Sequence, residues 1–124
     1  MSAVNIAEPA LLIRIAKLFR PGMSGTAPYE ATRGVWVVSE RRDRVKYALS
    51  VANGTVQEVY EVGSWQPAGT ATYTTRPKNQ VTVVGRWEFV GKVAGPSIRN
   101  RYVGQSVGHY FQRGNANPVN YVNV

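Results

Sequence analysis

A chain of 124 residues without cysteine is one domain with a core of its own, and it excludes disulfides, thiolate nucleophiles and cysteine-held metals together. Fifteen Lys and Arg against seven Asp and Glu leave a formal net charge of +8, spread along the chain rather than blocked, which favours phosphate-bearing partners. The longest apolar stretch, residues 9–13, stops at Arg14, so neither a spanning helix nor a secretory leader can be drawn, and a cytoplasmic protein without membrane contact is expected.

Residues 1–10 show no period and read as an N-terminal tail or arm ahead of a single domain over 11–124. Leu11, Ile13 and Ile15 alternate with Leu12, Arg14 and Ala16, the two-residue period of a first strand that ends near Leu18 and buries its odd face. The following RPGMSGTAP, residues 20–28, is a loop in which Ser24 or Thr26 can cap the next element. Residues 28–33 read as a short helix. Pro28 stands near its start, Glu30 in its first turn, Arg33 in its last and Gly34 just beyond, as the helix dipole and capping asymmetry require.

Val35–Val38 is a short strand, and Ser39–Arg44 is a charged turn presenting Arg41, Arg42 and Arg44 to solvent. The run KYALSVANGTVQEVYEV, residues 46–62, places Asn-Gly between two alternating apolar stretches and predicts a β-hairpin. Tyr47, Leu49 and Val51 share one face of its first strand. Ala48, Ser50 and Ala52 share the other, which is small enough to lie beneath a helix or a ligand. In the second strand Glu58 shares a face with Val56, Tyr60 and Val62, a lone carboxyl group that calls for a cation or a donor.

Residues 66–80, rich in Thr, Gly and Pro, read as a long connection of functional type, with Trp65 at its start. Val81–Val93 is a strand pair or one bent strand, irregular at Gly85 and Gly91; alternation there puts Trp87 and Phe89 in the core and Arg86 and Glu88 opposite. Pro96–Tyr102 is a short helix closed by Gly104. Val107–Phe111 and Val119–Val124 are final strands separated by RGNANP, residues 113–118. The sum is an α+β domain: a small curved antiparallel sheet or partly closed β-barrel with two short helices.

His109 is the only histidine, so a histidine metal site or a relay of two histidines cannot be built, and no metal or cofactor is expected. Glu58 and Glu61 are three apart on a strand and face opposite sides, which weakens paired-acid hydrolysis. The string Arg101-Tyr-Val-Gly-Gln-Ser106 resembles the second tyrosine motif of the GIY-YIG nucleases, with Arg113 at about the separation of that family's catalytic arginine. The resemblance stops there. Gly85-Arg86-Trp87 stands where Gly-Ile-Tyr belongs, and nothing acidic follows Glu88, so the metal that such chemistry needs has no ligand.

The blocks LIRIAKLFRPGMS, YEATRGVW, KYALSVANGTVQEVYEV, GRWEFVGKVA and YVGQSVGHYFQRGNANPVNYVN look similar to a family of short bacterial and phage-associated proteins. The layout resembles the PUA-like group, which includes the EVE and ASCH domains. That resemblance implies binding of RNA or a modified base in a barrel-mouth pocket with an aromatic wall. The expected function is therefore a non-catalytic nucleic-acid-binding module, with Arg33, Arg41, Arg42, Arg44, Lys46 and Arg113 on phosphates and Trp36 or Trp65 against a base. Two alternatives stand beside it. One is an enzyme on a nucleotide or phosphodiester substrate, with Glu58 as base and Tyr102, His109 or Arg113 assisting. The other is a defence-related protein that takes a signalling nucleotide or a protein partner and dimerises through a strand edge.

Overall fold

The computed structural model describes residues 3–15, 27–111 and 117–124. The expected strand end at Leu18, the capping residues Ser24 and Thr26, and Arg113 lie outside them. A curled six-stranded sheet in the order β2-β5-β4-β3-β1-β6 forms a half-barrel. Its strands are β1 (Ala10–Arg14), β2 (Gly34–Trp36), β3 (Tyr47–Ala52), β4 (Thr55–Pro67), β5 (Trp87–Val93) and β6 (Val119–Val122). Three short helices accompany it: α1 (Ala27–Arg33), the single turn α2 (Lys78–Val81) and α3 (Pro96–Tyr102). Among the described residues no helix is long and apolar enough to cross a membrane.

The hairpin turns where the Asn-Gly pair predicts. Asn53 and Gly54 take φ of 55° and 73°, the left-handed pair of a turn that matches the twist of its strands. The sheet is mixed rather than antiparallel throughout, because β1 lies parallel to β3, with Leu11 beside Ala48 and Ile13 beside Ser50, and antiparallel to β6. Central position also changes its burial. Leu11, Leu12 and Ile13 are all fully buried, so both faces of β1 are core, as a strand covered on two sides must be.

One core holds Leu12, Leu49, Val51, Val56 and Val59 under α3 and the N-terminal segment, with Ile6 and Tyr102 packed in. The other holds Leu11, Ile13, Ala48, Ala52, Tyr60 and Phe89, with Trp36, Val38 and Val45 closing over them and Tyr29 of α1 against them. The small face of β3 thus lies toward α1. The segment ahead of β1 is tied down: Val4 N–H donates to Ser106 O at 3.0 Å and Ile6 N–H to the Tyr110 hydroxyl at 2.8 Å.

Two extra residues in β4 decide which side chains face which core. Ser50 pairs with Glu58 but Val51 with Val56, and Val62 pairs with Gly91 but Ser64 with Val90, so Gln57 and Gly63 are bulged out. Val56 accordingly joins Val59, while Tyr60, Val62 and Trp65 face the other core. Strict alternation had put Val56 beside Glu58 and Tyr60; the bulge corrects it.

Other expectations shift for local reasons. β4 runs on to Pro67, so Trp65 is a strand residue, and the connection after it contains α2. Val81 ends that helix and Gly85 takes a φ of +84° in a turn, so β5 begins only at Trp87. Val107–Phe111 is no strand: Gly108–Tyr110 form a 3-10 turn beside the isolated bridges of Ser106 to Ala3 and Thr55.

Gly91 is the tightest backbone approach in the sheet, because a β-carbon there would run into the Glu61 carbonyl oxygen of the neighbouring strand. Backbone cannot give way as a side-chain tip can. Gly91→Ala is expected to lower unfolding free energy by about 1–3 kcal/mol, read as a shifted urea midpoint. An unchanged midpoint would show that β4 and β5 are not so closely paired.

Candidate functional site

The connection from β2 to β3 carries the basic turn. Ser39 caps a 3-10 turn over Glu40–Arg44, its hydroxyl accepting from Arg41 N–H at 3.3 Å. The turn reaches across to the opposite edge strand: Ser39 N–H donates to the Tyr121 hydroxyl at 3.0 Å, and Arg41 lies 4.3 Å over the Tyr121 ring and donates to Val124 O. Arg42 stacks at 3.7 Å on Trp87, with its side chain only 15% exposed and its Nε, which makes no hydrogen bond, 4.0 Å from Asp43 Oδ1. Arg44 and Lys46 are exposed and form no ion pair among the described residues. A groove of about 610 Å³ lies among Val38, Ser39, Glu40, Arg41, Arg42 and Arg44.

Neighbouring aromatics lie on the α1 side of the sheet. Trp65 meets Phe89 edge-on at 5.4 Å, Tyr29 meets Tyr60 at 5.3 Å, and Trp87 stands two residues from Phe89 on β5. Trp65 is half-buried and its Nε1–H has no acceptor, an unsatisfied donor that costs free energy where it stands.

Two expected contact residues are internal instead. Arg33 is 9% exposed, donates from Nε to Phe89 O at 3.0 Å and lies 4.9 Å over the Tyr29 ring. Trp36 is 8% exposed and gives its indole N–H to Thr32 O at 2.7 Å. Both hold α1 to the sheet, because the helix end they follow turns directly into β2. Arg113, the last expected phosphate contact, is outside the described residues.

The residues considered for catalysis have separate partners. Glu58 meets Arg99 of α3 through two contacts, at 2.7 and 3.1 Å, which supplies the cation its position called for. That hydrogen bond raises the Arg99 guanidinium further above its ordinary value. The Tyr102 hydroxyl donates to Glu8 at 2.5 Å and accepts from Ala7 N–H at 3.1 Å; burial, then Glu8, push it up. His109 is exposed and stacks on Tyr110 at 4.3 Å. Among the described residues no three His, Cys, Asp or Glu side chains are placed to hold a metal ion.

A polar network that alternation does not predict fixes the long connection. Glu88, fully buried, accepts from Gln66 Nε2 at 2.7 Å, Ala71 N–H at 2.6 Å, Gly69 N–H at 3.2 Å and the Tyr73 hydroxyl at 3.0 Å. Glu30, 4% exposed, accepts from the backbone and hydroxyl groups of both Thr74 and Thr75, at 2.6–3.0 Å. Burial alone would raise the Glu30 carboxyl, but those donors together overcome it and hold the group at about 2. Burial, with Glu88 adjacent, pushes the Tyr73 hydroxyl well up and keeps it a donor.

Arg76 of the same connection donates from Nη1 to Glu30 O and Gly34 O. Gly34 is required here, since a β-carbon would meet the Tyr73 hydroxyl and Glu88 Cβ. The available signal was chemical. A segment reading QPAGTATYTTRP brings many donors that need acceptors, and α1 and β5, against which it folds, carry one acidic residue each, Glu30 and Glu88.

No family model matches the chain, and neither a curated protein nor a solved structure matches it.

Proposed function

We propose that the chain is a non-catalytic nucleic-acid-binding module, taking single-stranded RNA or DNA along the basic turn between β2 and β3 with a base against the adjoining aromatics. The observation that carries this reading is the turn itself. Arg41 and Arg42 are braced on Tyr121 and Trp87, while Arg44 and Lys46 project without ion-pair partners among the described residues. Braced guanidiniums lose little freedom on meeting a phosphate, and free cations beside them add counterion release. The half-buried Trp65 ring supports stacking of a base as the second contact.

Fluorescence anisotropy of labelled single-stranded RNA and DNA against salt tests it. Affinity is expected to fall steeply with salt, and the double variant Arg44→Ala/Lys46→Ala to reduce the slope of log K against log salt by about 1.4, roughly 0.7 per lost phosphate contact. Trp65→Ala, which removes the stacking ring, is expected to weaken binding by about 1–3 kcal/mol. Salt-independent binding, or a double variant that behaves as the parent, would end this reading.

A further inference from the structure

A second cationic site lies on the long connection between β4 and β5, away from the basic turn. A cavity of about 290 Å³ is lined by Gly69, Thr70, Ala71, Thr72, Tyr73, Arg76, Lys78, Val81 and Thr82, at the lower end of the size of small-molecule sites. Its wall is rigid. Glu88 holds Gly69, Ala71 and Tyr73, and Glu30 holds Thr74 and Thr75.

Arg76 is the informative wall residue. Two carbonyl oxygens, of Glu30 and Gly34, engage its Nη1, which sets the plane of the guanidinium. Its Nε is buried with no acceptor, and Nη2 makes no hydrogen bond among the described residues. Nη2 is therefore the guanidinium donor left for an oxyanion in the pocket. Neither nearby carboxyl group makes an ion pair with it, since both are occupied by the loop's own donors. Burial lowers the Arg76 pKa, with partial compensation from Tyr73 and Glu30. Lys78, on the same wall, is exposed and likewise has no ion pair.

We infer that this pocket binds a phosphoryl group, with Arg76 meeting it through Nη2, Lys78 adding charge and the Thr72 hydroxyl a further donor. An oxyanion there would satisfy the unmet Nη2 of a half-buried guanidinium, which is costly to leave unpaired. The group could arrive as free phosphate, on a mononucleotide or on a nucleic-acid strand, and the chemistry is common to all three. The inference uses none of the residues of the basic turn and stands or falls separately from the proposed function.

The test is titration of the intact chain with inorganic phosphate, adenosine monophosphate and short single-stranded DNA at ionic strength held constant with chloride, followed by backbone amide shifts. Saturable shifts confined to residues 69–82 are expected with at least one of the three, and the tightest binder identifies the source. Lys78→Ala is expected to weaken that binding about tenfold with an unchanged circular dichroism spectrum. Arg76→Lys should weaken it comparably; should that variant unfold, Lys78→Ala decides alone. Absence of saturable shifts in 69–82 with all three ligands overturns the site, as does undiminished affinity in Lys78→Ala.

Discussion

Replacement of Glu88 by alanine is expected to remove about 3–5 kcal/mol of unfolding free energy, the largest effect of any single polar substitution in the described structure. The side chain is fully buried on β5 and its two oxygens receive four donors, from Gln66, Gly69, Ala71 and Tyr73. Alanine takes the acceptor from all four, and the half-buried donors of Gln66, Ala71 and Tyr73 must open to water to be satisfied. Glu88→Gln is expected to fare little better, because it presents N–H groups to a ring of donors. Tyr73→Phe removes a single donor and should cost about 1 kcal/mol. Urea midpoints measure the energies, and amide exchange at Gly69 and Ala71 reports where the structure loosens. A loss below about 1 kcal/mol in Glu88→Ala would mean that the carboxyl group does not hold the loop.

Acid is expected to destabilise the fold through Glu30. Its carboxyl titrates near 4.5 when unfolded and at about 2 when folded, so the folded state binds its proton less readily. That contribution is fully present above pH 4.5 and is lost as pH falls toward 2. Its size is on the order of 3 kcal/mol at most, and less in salt, since its donors Thr74 and Thr75 lie at the surface and water screens the group. Urea midpoints across that interval should fall in the parent. In Glu30→Gln the acid slope from this group should vanish, and in Thr75→Val it should shrink, because one hydroxyl and its 2.6 Å hydrogen bond are gone. A Glu30→Gln variant with the parent's acid limb would assign the effect elsewhere.

The sequence carried the local geometry well wherever a short-range rule governs it. Asn53-Gly54 turns the hairpin, Glu30 and Arg33 bracket α1, and Ser39 opens the basic turn, each by a preference exerted within a few residues. A curved sheet with short helices follows from those elements and is the architecture present. What escaped was decided at long range. Parallel pairing of β1 with β3 depends on where a distant strand docks, and a one-residue bulge at Gln57 or Gly63 reverses every inward side chain beyond it.

The candidate site divides the same way. Arg41, Arg42 and Arg44 were legible as a charged turn, and Arg41 and Arg44 are exposed there, but Arg42 turns in onto Trp87 rather than facing solvent. Arg33 and Trp36 were misplaced because a helix end that passes directly into a strand has no loop in which to expose them. Glu88 was assigned to the outer face by alternation. It is buried because the β4–β5 connection folds back over that face and brings its own donors to the carboxyl group.

The place of β1 in the strand order bears on how the molecule is made. The first strand of the chain is interior to the sheet, with β3 on one side and β6, the last strand, on the other. During synthesis its apolar residues can pair with β3 once the hairpin has emerged, yet its second flank stays open until residues 119–122 leave the ribosome. Such non-local closure is slow, and an apolar strand with a bare flank attracts other chains. The polypeptide therefore passes through an interval in which it is nearly folded and prone to associate, and pairing of residues 119–122 with β1 is the event that seals it.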